Sequence, residues 1–124
     1  MDTRIDIGRR GEDIAAEHLS ALGWRILDRN WRSGRLGELD IVALEPAPGR
    51  GTLVFCEVKT RSGLGYGAPL EAVTRAKLSR LRRLALAWLA AHDQHCDNVR
   101  IDVVGVLLAP GAAPAVSHER GVTL

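Results

Sequence analysis

Apolar residues along this chain follow two different rhythms. Between Gly8 and Leu22, the residues Ile14, Ala15, His18, Leu19 and Leu22 recur at helical spacing, and Gly23 stands where such a helix would stop. Trp24–Trp31 (WRILDRNW) reads as a strand of mixed polarity, and the basic connection RSGRLG follows it. GELDIVAL and TLVFCEVKTR are two apolar runs separated by the turn-rich EPAPGRG, so Gly37–Arg61 is predicted to be a β-hairpin. Pro69–His92 carries the clearest helical stripe, made of Leu70, Val73, Leu81, Ala85 and Trp88. Val99–Leu108 (VRIDVVGVLL) reads as a buried strand, and the tail from Ala109 to Leu124, rich in Gly, Pro and Ala, is either a less ordered end or a short edge strand. The predicted order is helix, three strands, long helix, strand and a further short strand, which fits an α/β fold with a mixed sheet flanked by helices.

Length and composition narrow this picture. A chain of 124 residues is expected to form one domain with a hydrophobic core, and 46% hydrophobic with 26% charged residues is a globular balance. The net charge of +2 says little about partners, but the cations are fifteen Arg and only Lys59 and Lys77, a bias that either follows genome composition or marks the two positions where a compact ammonium is required. Cys56 and Cys96 are too few for a disulfide framework, and the apolar setting of Cys56 suits a reduced thiol. MDTRIDIGRR is no signal segment, and LALAWLAA is far shorter than the roughly 18 residues of a membrane span, so a cytoplasmic protein with no membrane partner is expected.

The hairpin holds the chemistry. Glu38 and Asp40 interrupt its first strand, and Glu57 and Lys59 its second. A hairpin closed symmetrically about the Pro46–Gly51 loop places Asp40 opposite Glu57, where side chains lie roughly 4.5–5.5 Å apart and like charges repel. A divalent cation would neutralise the pair, since Mg²⁺ is held by one or two carboxylates plus water and phosphate oxygens. Lys59 lies two residues beyond Glu57 and so shares its face. Two readings stand for Glu12: a first-turn acid favoured by the helix dipole, or a third carboxylate aimed at the hairpin. Arg25, Arg29, Arg32 and Arg35 either contact phosphates, with Trp31 stacking on a base, or protect an edge strand by charge. Lys77 falls within the apolar stripe and either snorkels or reaches toward the hairpin. Gly63, Gly65 and Gly67 are spaced G-x-G-x-G, which does not fit a dinucleotide fingerprint and suits a loop near a groove. HDQHCD lacks the spacing of a zinc site and is expected to be a polar loop.

The pattern Asp40, sixteen intervening residues, then Glu57-Val58-Lys59 resembles the PD-(D/E)XK nuclease core, with Leu39 where a Pro is usual. More widely, GEDIAAEHL, GW, RNWRS, GELDIV, VFCEVKTR and RIDVV occur in the order seen in the YraN-like family of small bacterial proteins, a resemblance running from about Gly11 to Val104. It implies a restriction-endonuclease-like fold, similar to the archaeal Holliday-junction resolvases, whose helix-borne Glu precedes the other motifs as Glu12 does here. It also implies that Asp40, Glu57 and the Val58 carbonyl hold Mg²⁺ or Mn²⁺, that Lys59 assists the attacking water, and that Glu12 completes the catalytic set. Arg32, Arg35, Arg61 and Lys77 are then the candidates for gripping nucleic acid, DNA before RNA, and a homodimer is implied. The rival expectation is a module that binds nucleic acid without cutting it, or an adaptor in a DNA-processing complex.

Overall fold

The computed structural model describes residues 3–62 and 73–123. The elements run α1 (Arg4–Ala21), β1 (Arg25–Ser33), β2 (Gly37–Glu45), β3 (Thr52–Arg61), α2 (Arg75–Ala91), β4 (Asn98–Leu107) and β5 (Ala115–Glu119). They build a five-stranded mixed sheet in the order β1-β2-β3-β4-β5. β1, β2 and β3 form an antiparallel meander, β4 joins β3 in parallel, and β5 closes the far edge antiparallel to β4. The tail therefore contributes the short edge strand.

Each helix covers one face. Ala15 and Leu19 of α1 pack with Trp24, Ile41, Ala43, Val54, Cys56, Val104 and Val106. Leu81, Leu84, Ala85 and Trp88 of α2 pack with Leu39, Val42, Leu53 and Phe55 on the other face. Cys56 is a free thiol, fully buried in the central strand, as its apolar run suggests.

Helix ends differ from the predicted ones because side chains, not apolar periodicity, decide them. α1 begins four residues before Gly8, at Arg4, because Thr3 and Asp6 form a reciprocal capping box. At its other end Gly23 takes φ +86 as expected, while Leu22 is a C-cap residue facing solvent and not a core residue. The Thr74 hydroxyl accepts from the Lys77 N–H and starts α2 at Arg75. Val73 therefore lies ahead of the helix, buried beside Leu78, Val103 and Val122. Leu78 and Leu84 complete the stripe, whereas Lys77 is only half-buried. The Gly63–Gly67 loop and the predicted helix start at Pro69 lie outside the described residues. His92–Asp97 is a loop, as predicted, and its Asp97 side chain accepts from the Arg50 N–H of the hairpin turn.

The hairpin register is the one its symmetry predicts, with Ile41 opposite Cys56 through to Glu45 opposite Thr52. Its paired ladder ends one step short of Asp40 and Glu57. Beyond that point the backbone N–H of Val58 donates 2.8 Å to the Asp40 carboxylate.

Candidate metal centre

Three features of the backbone build the site. The first is a change of phase in β2: Val42 and Leu39 both pack on the α2 face, although strict alternation would send residues three apart to opposite faces. The second lies across from it. Asn30 has φ +53, the one left-handed non-glycine among the described residues, and the β1–β2 pairs pass from Arg29–Ile41 to Trp31–Leu39 without it. Asn tolerates this conformation better than most residues, and local strain of this kind gathers at functional positions. The third is Gly11, where a Cβ would overlap the Thr60 side chain, so only glycine lets α1 sit this close to β3.

Together these bring Glu38 and Asp40 beneath Glu12. One carboxylate oxygen from each of Glu12, Glu38 and Asp40 lies within 4.8 Å of the other two. Glu12 Oε1 is buried without a hydrogen bond, with its nearest cation, Arg29, at 3.8 Å. Burial pushes the Glu12 carboxyl above its usual range, while Arg29 and a hydrogen bond from Asn30 pull the other way. Asp40 is pushed up to about 7, first by burial and then by the charge of Glu57, against the opposing Val58 hydrogen bond. Stacked carboxylates with an orphaned oxygen suit a hard cation, which binds oxygen ligands and offsets their repulsion.

Lys59 Nζ lies 3.2 Å from Glu57 Oε1, both side chains largely buried, so the two share a face as the spacing requires. A cleft of about 710 Å³ is lined by Arg4, Glu12, Asp40, Val58, Lys59 and Arg61, among others. The structure thus brings Glu12, Asp40, Lys59 and Arg61 together and sets Glu57 beside Asp40. It differs from the expected ligand set in one respect: the described acids that share one small volume are Glu12, Glu38 and Asp40, while Glu57 is engaged by Lys59. Val58 contributes its N–H to Asp40.

The basic candidates separate. Arg32 pairs with Glu38 at 3.1 Å, and Arg29 pairs with Asp13 at 2.8 Å, so both hold acids around the site. Arg35 is exposed on the β1–β2 turn. Lys77 lies near the start of α2 and is not among the described residues lining the cleft. Trp31 is half-buried, packed against the α2-face core and edge-on to His92.

Two residues escaped the sequence reading. Glu38 was visible as a charge in an apolar strand, two residues from Asp40, but nothing in the strand period alone joins it to Glu12. Asn30 carries no sequence signal, since its role follows from a backbone angle.

The model of the uncharacterised protein family UPF0102 matches residues 11–106. The chain belongs to that family. The match bears out the YraN-like resemblance and spans every acid of the candidate site from Glu12 to Glu57, leaving β5 outside it. Among its relatives, a UPF0102 protein of Clavibacter michiganensis is 58% identical over 97% of this chain and 98% of its own length. One from Beutenbergia cavernae is 55% identical over 98% of this chain and 99% of its own. Another, from Mycolicibacterium smegmatis, is 53% identical over 97% and 94% respectively.

Proposed function

We propose that this UPF0102 protein is a metal-dependent nuclease that hydrolyses phosphodiester bonds in DNA in the cytoplasm, with branched DNA among its substrate forms. The observation that carries the reading is the buried Glu12 oxygen without a hydrogen bond, in an acidic trio with Asp40 and in the same cleft as the Lys59 ammonium. The likeness of Asp40, Glu57 and Lys59 to the PD-(D/E)XK core, and of the helix-borne Glu12 to the Holliday-junction resolvases, supports the same conclusion. Glu12, Glu38 and Asp40 offer the donors for Mg²⁺ or Mn²⁺, with Glu57 within electrostatic reach of Asp40. A bound divalent cation supplies Lewis-acid polarisation of a phosphoryl oxygen and a more acidic water.

The side chains do the rest. The Lys59 ammonium offsets charge that grows on the phosphoryl oxygens as water adds to phosphorus and the bond to the leaving oxygen breaks. Glu57 holds that ammonium in place. Arg32 and Arg29 keep the acidic side chains ordered between substrates. The resolvase likeness also brings a homodimer, which sedimentation of the pure protein tests.

The deciding experiment incubates the protein with duplex, single-stranded and branched DNA in Mg²⁺ and, separately, in Mn²⁺. Cleavage is expected with the native chain and is lost in Asp40→Ala and Lys59→Ala. Cleavage that survives either substitution, or no cleavage of any form with either metal, overturns the reading.

A further inference from the structure

We propose that Arg80 and Arg83 of α2, with Arg35 on the β1–β2 turn, form a second binding surface that grips the sugar–phosphate backbone of DNA next to the acidic cleft. The inference rests on the nucleic-acid reading above and goes beyond it in placing a contact on the opposite face of the sheet.

α2 carries Arg75, Lys77, Arg80, Arg82 and Arg83 in its first half and no acid anywhere along its length. Cations there oppose the helix dipole and repel one another, so helix stability does not account for them. Four arginines are held by acids: Arg29 by Asp13, Arg32 by Glu38, Arg100 by Asp102 and Arg120 by Glu45. Arg75, Arg80, Arg82, Arg83 and Arg35 make no ion pair with any described residue and are exposed, as are Arg4, Arg9, Arg10, Arg25 and Arg50, but only α2 gathers four of them on one element without an acid.

Position separates them. The Arg80 side chain runs beside Gly37, as does Leu84, so this flank of α2 borders the start of β2, one residue before Glu38 of the acidic trio. Arg83 lies three residues on, adjacent to Arg80 on the helix surface. Arg35 precedes Gly37 on the turn. Arg82 lies on the other flank, lining an apolar groove with Leu86, Val99 and Val122. The cleft sets Arg4, Lys59 and Arg61 among its acids, and these cations reach only the phosphate under attack and its immediate neighbours. Phosphates farther along the strand need fixed positive charge outside the cleft. A strand leaving it over the β1–β2 turn meets Arg35, then Arg80 and Arg83, whose planar forks match phosphate oxygens.

The test measures binding without turnover. Asp40→Asn protein in EDTA is titrated with labelled duplex and branched DNA at several salt concentrations. Adding Arg80→Ala and Arg83→Ala together is expected to weaken binding at least about tenfold and to lower the salt slope by about two, the loss of two phosphate contacts. Arg82→Ala, which removes one such charge, is expected to change affinity less than about twofold, because its flank faces away. Circular dichroism melts check that each exposed substitution leaves the fold intact. Unchanged DNA affinity in the double variant overturns the proposal. So does a loss in Arg82→Ala that is equal per charge removed, about threefold, which would mean diffuse charge, or competition by poly-glutamate as strong as by DNA, which would mean an acidic protein partner. A protein that never cleaves DNA sinks the nuclease reading without touching this result, since no metal or hydrolysis enters the measurement.

Discussion

At the scale of the residue, burying Asp40 costs stability. Burial and the nearby Glu57 raise its folded pKa to about 7 from the ordinary 3.8. The folded chain therefore binds this proton more tightly than the unfolded one. As pH rises from about 4 to about 7, the contribution of Asp40 to stability falls, and above that range the full penalty persists, on the order of 2–4 kcal/mol. Asp40→Asn removes the penalty. In EDTA at pH 8 the variant is expected to melt several degrees above the native chain, with the difference vanishing near pH 4. Mn²⁺ at pH 8 is expected to raise the native melting temperature and leave that of Asp40→Asn nearly unmoved; equal shifts in both would place the cation elsewhere. Asp40, Glu57 and Lys59 were legible in the sequence because charge in an apolar strand demands an explanation. Glu38 met the same criterion but found its partners only through the phase change beside Asn30, which arises from two strands fitting a twisted sheet and leaves no trace in residue type.

Elements were easier to read than their ends. The hairpin register followed from the symmetry of its loop, and both helices followed from their stripes, since burial on one face imposes a period on the sequence. Starts were missed where a cap side chain outvoted the stripe, at Thr3 and Thr74. The close approach of α1 to β3 at Gly11 was also invisible, because a glycine inside a helical pattern has no stated reason until the opposite surface is known. That contact fixes where α1 presents Glu12. Gly11→Ala forces the Thr60 side chain or the helix to move, with all three nearest atoms belonging to Thr60. Overpacking of this kind costs about 1–3 kcal/mol. The expected outcome is a lower denaturation midpoint with an unchanged m-value, together with weaker metal binding as Glu12 is lifted from Glu38 and Asp40.

For the molecule as a whole, the edge formed by β5 depends on a polar network at the other end of the sheet. Asp102 is fully buried and receives two hydrogen bonds from Arg100, at 2.8 and 3.0 Å, one from the Gly121 N–H at 3.0 Å, and a contact with His118 at 2.9 Å. Arg100 also reaches Glu45 at 2.8 Å and, like Arg120, lies over the Trp24 ring. His118 joins this network from the Pro-rich tail, sixteen residues away. Burial disfavours the Asp102 charge, but the bonds from Arg100, Gly121 and His118 outweigh it and hold its pKa below the usual range. Its contribution to stability is therefore present above about pH 4 and is lost as pH falls through the folded pKa. Arg100→Ala strands that carboxylate and is expected to cost about 3–5 kcal/mol in urea unfolding at pH 7. The central strand offers a clock for such events. Cys56 is sealed in β3 and burial raises its thiol pKa, whereas Cys96 is partly exposed. A thiol reagent should thus modify Cys96 promptly and reach Cys56 only when the sheet parts, so the second labelling phase times the opening of the whole molecule without denaturant.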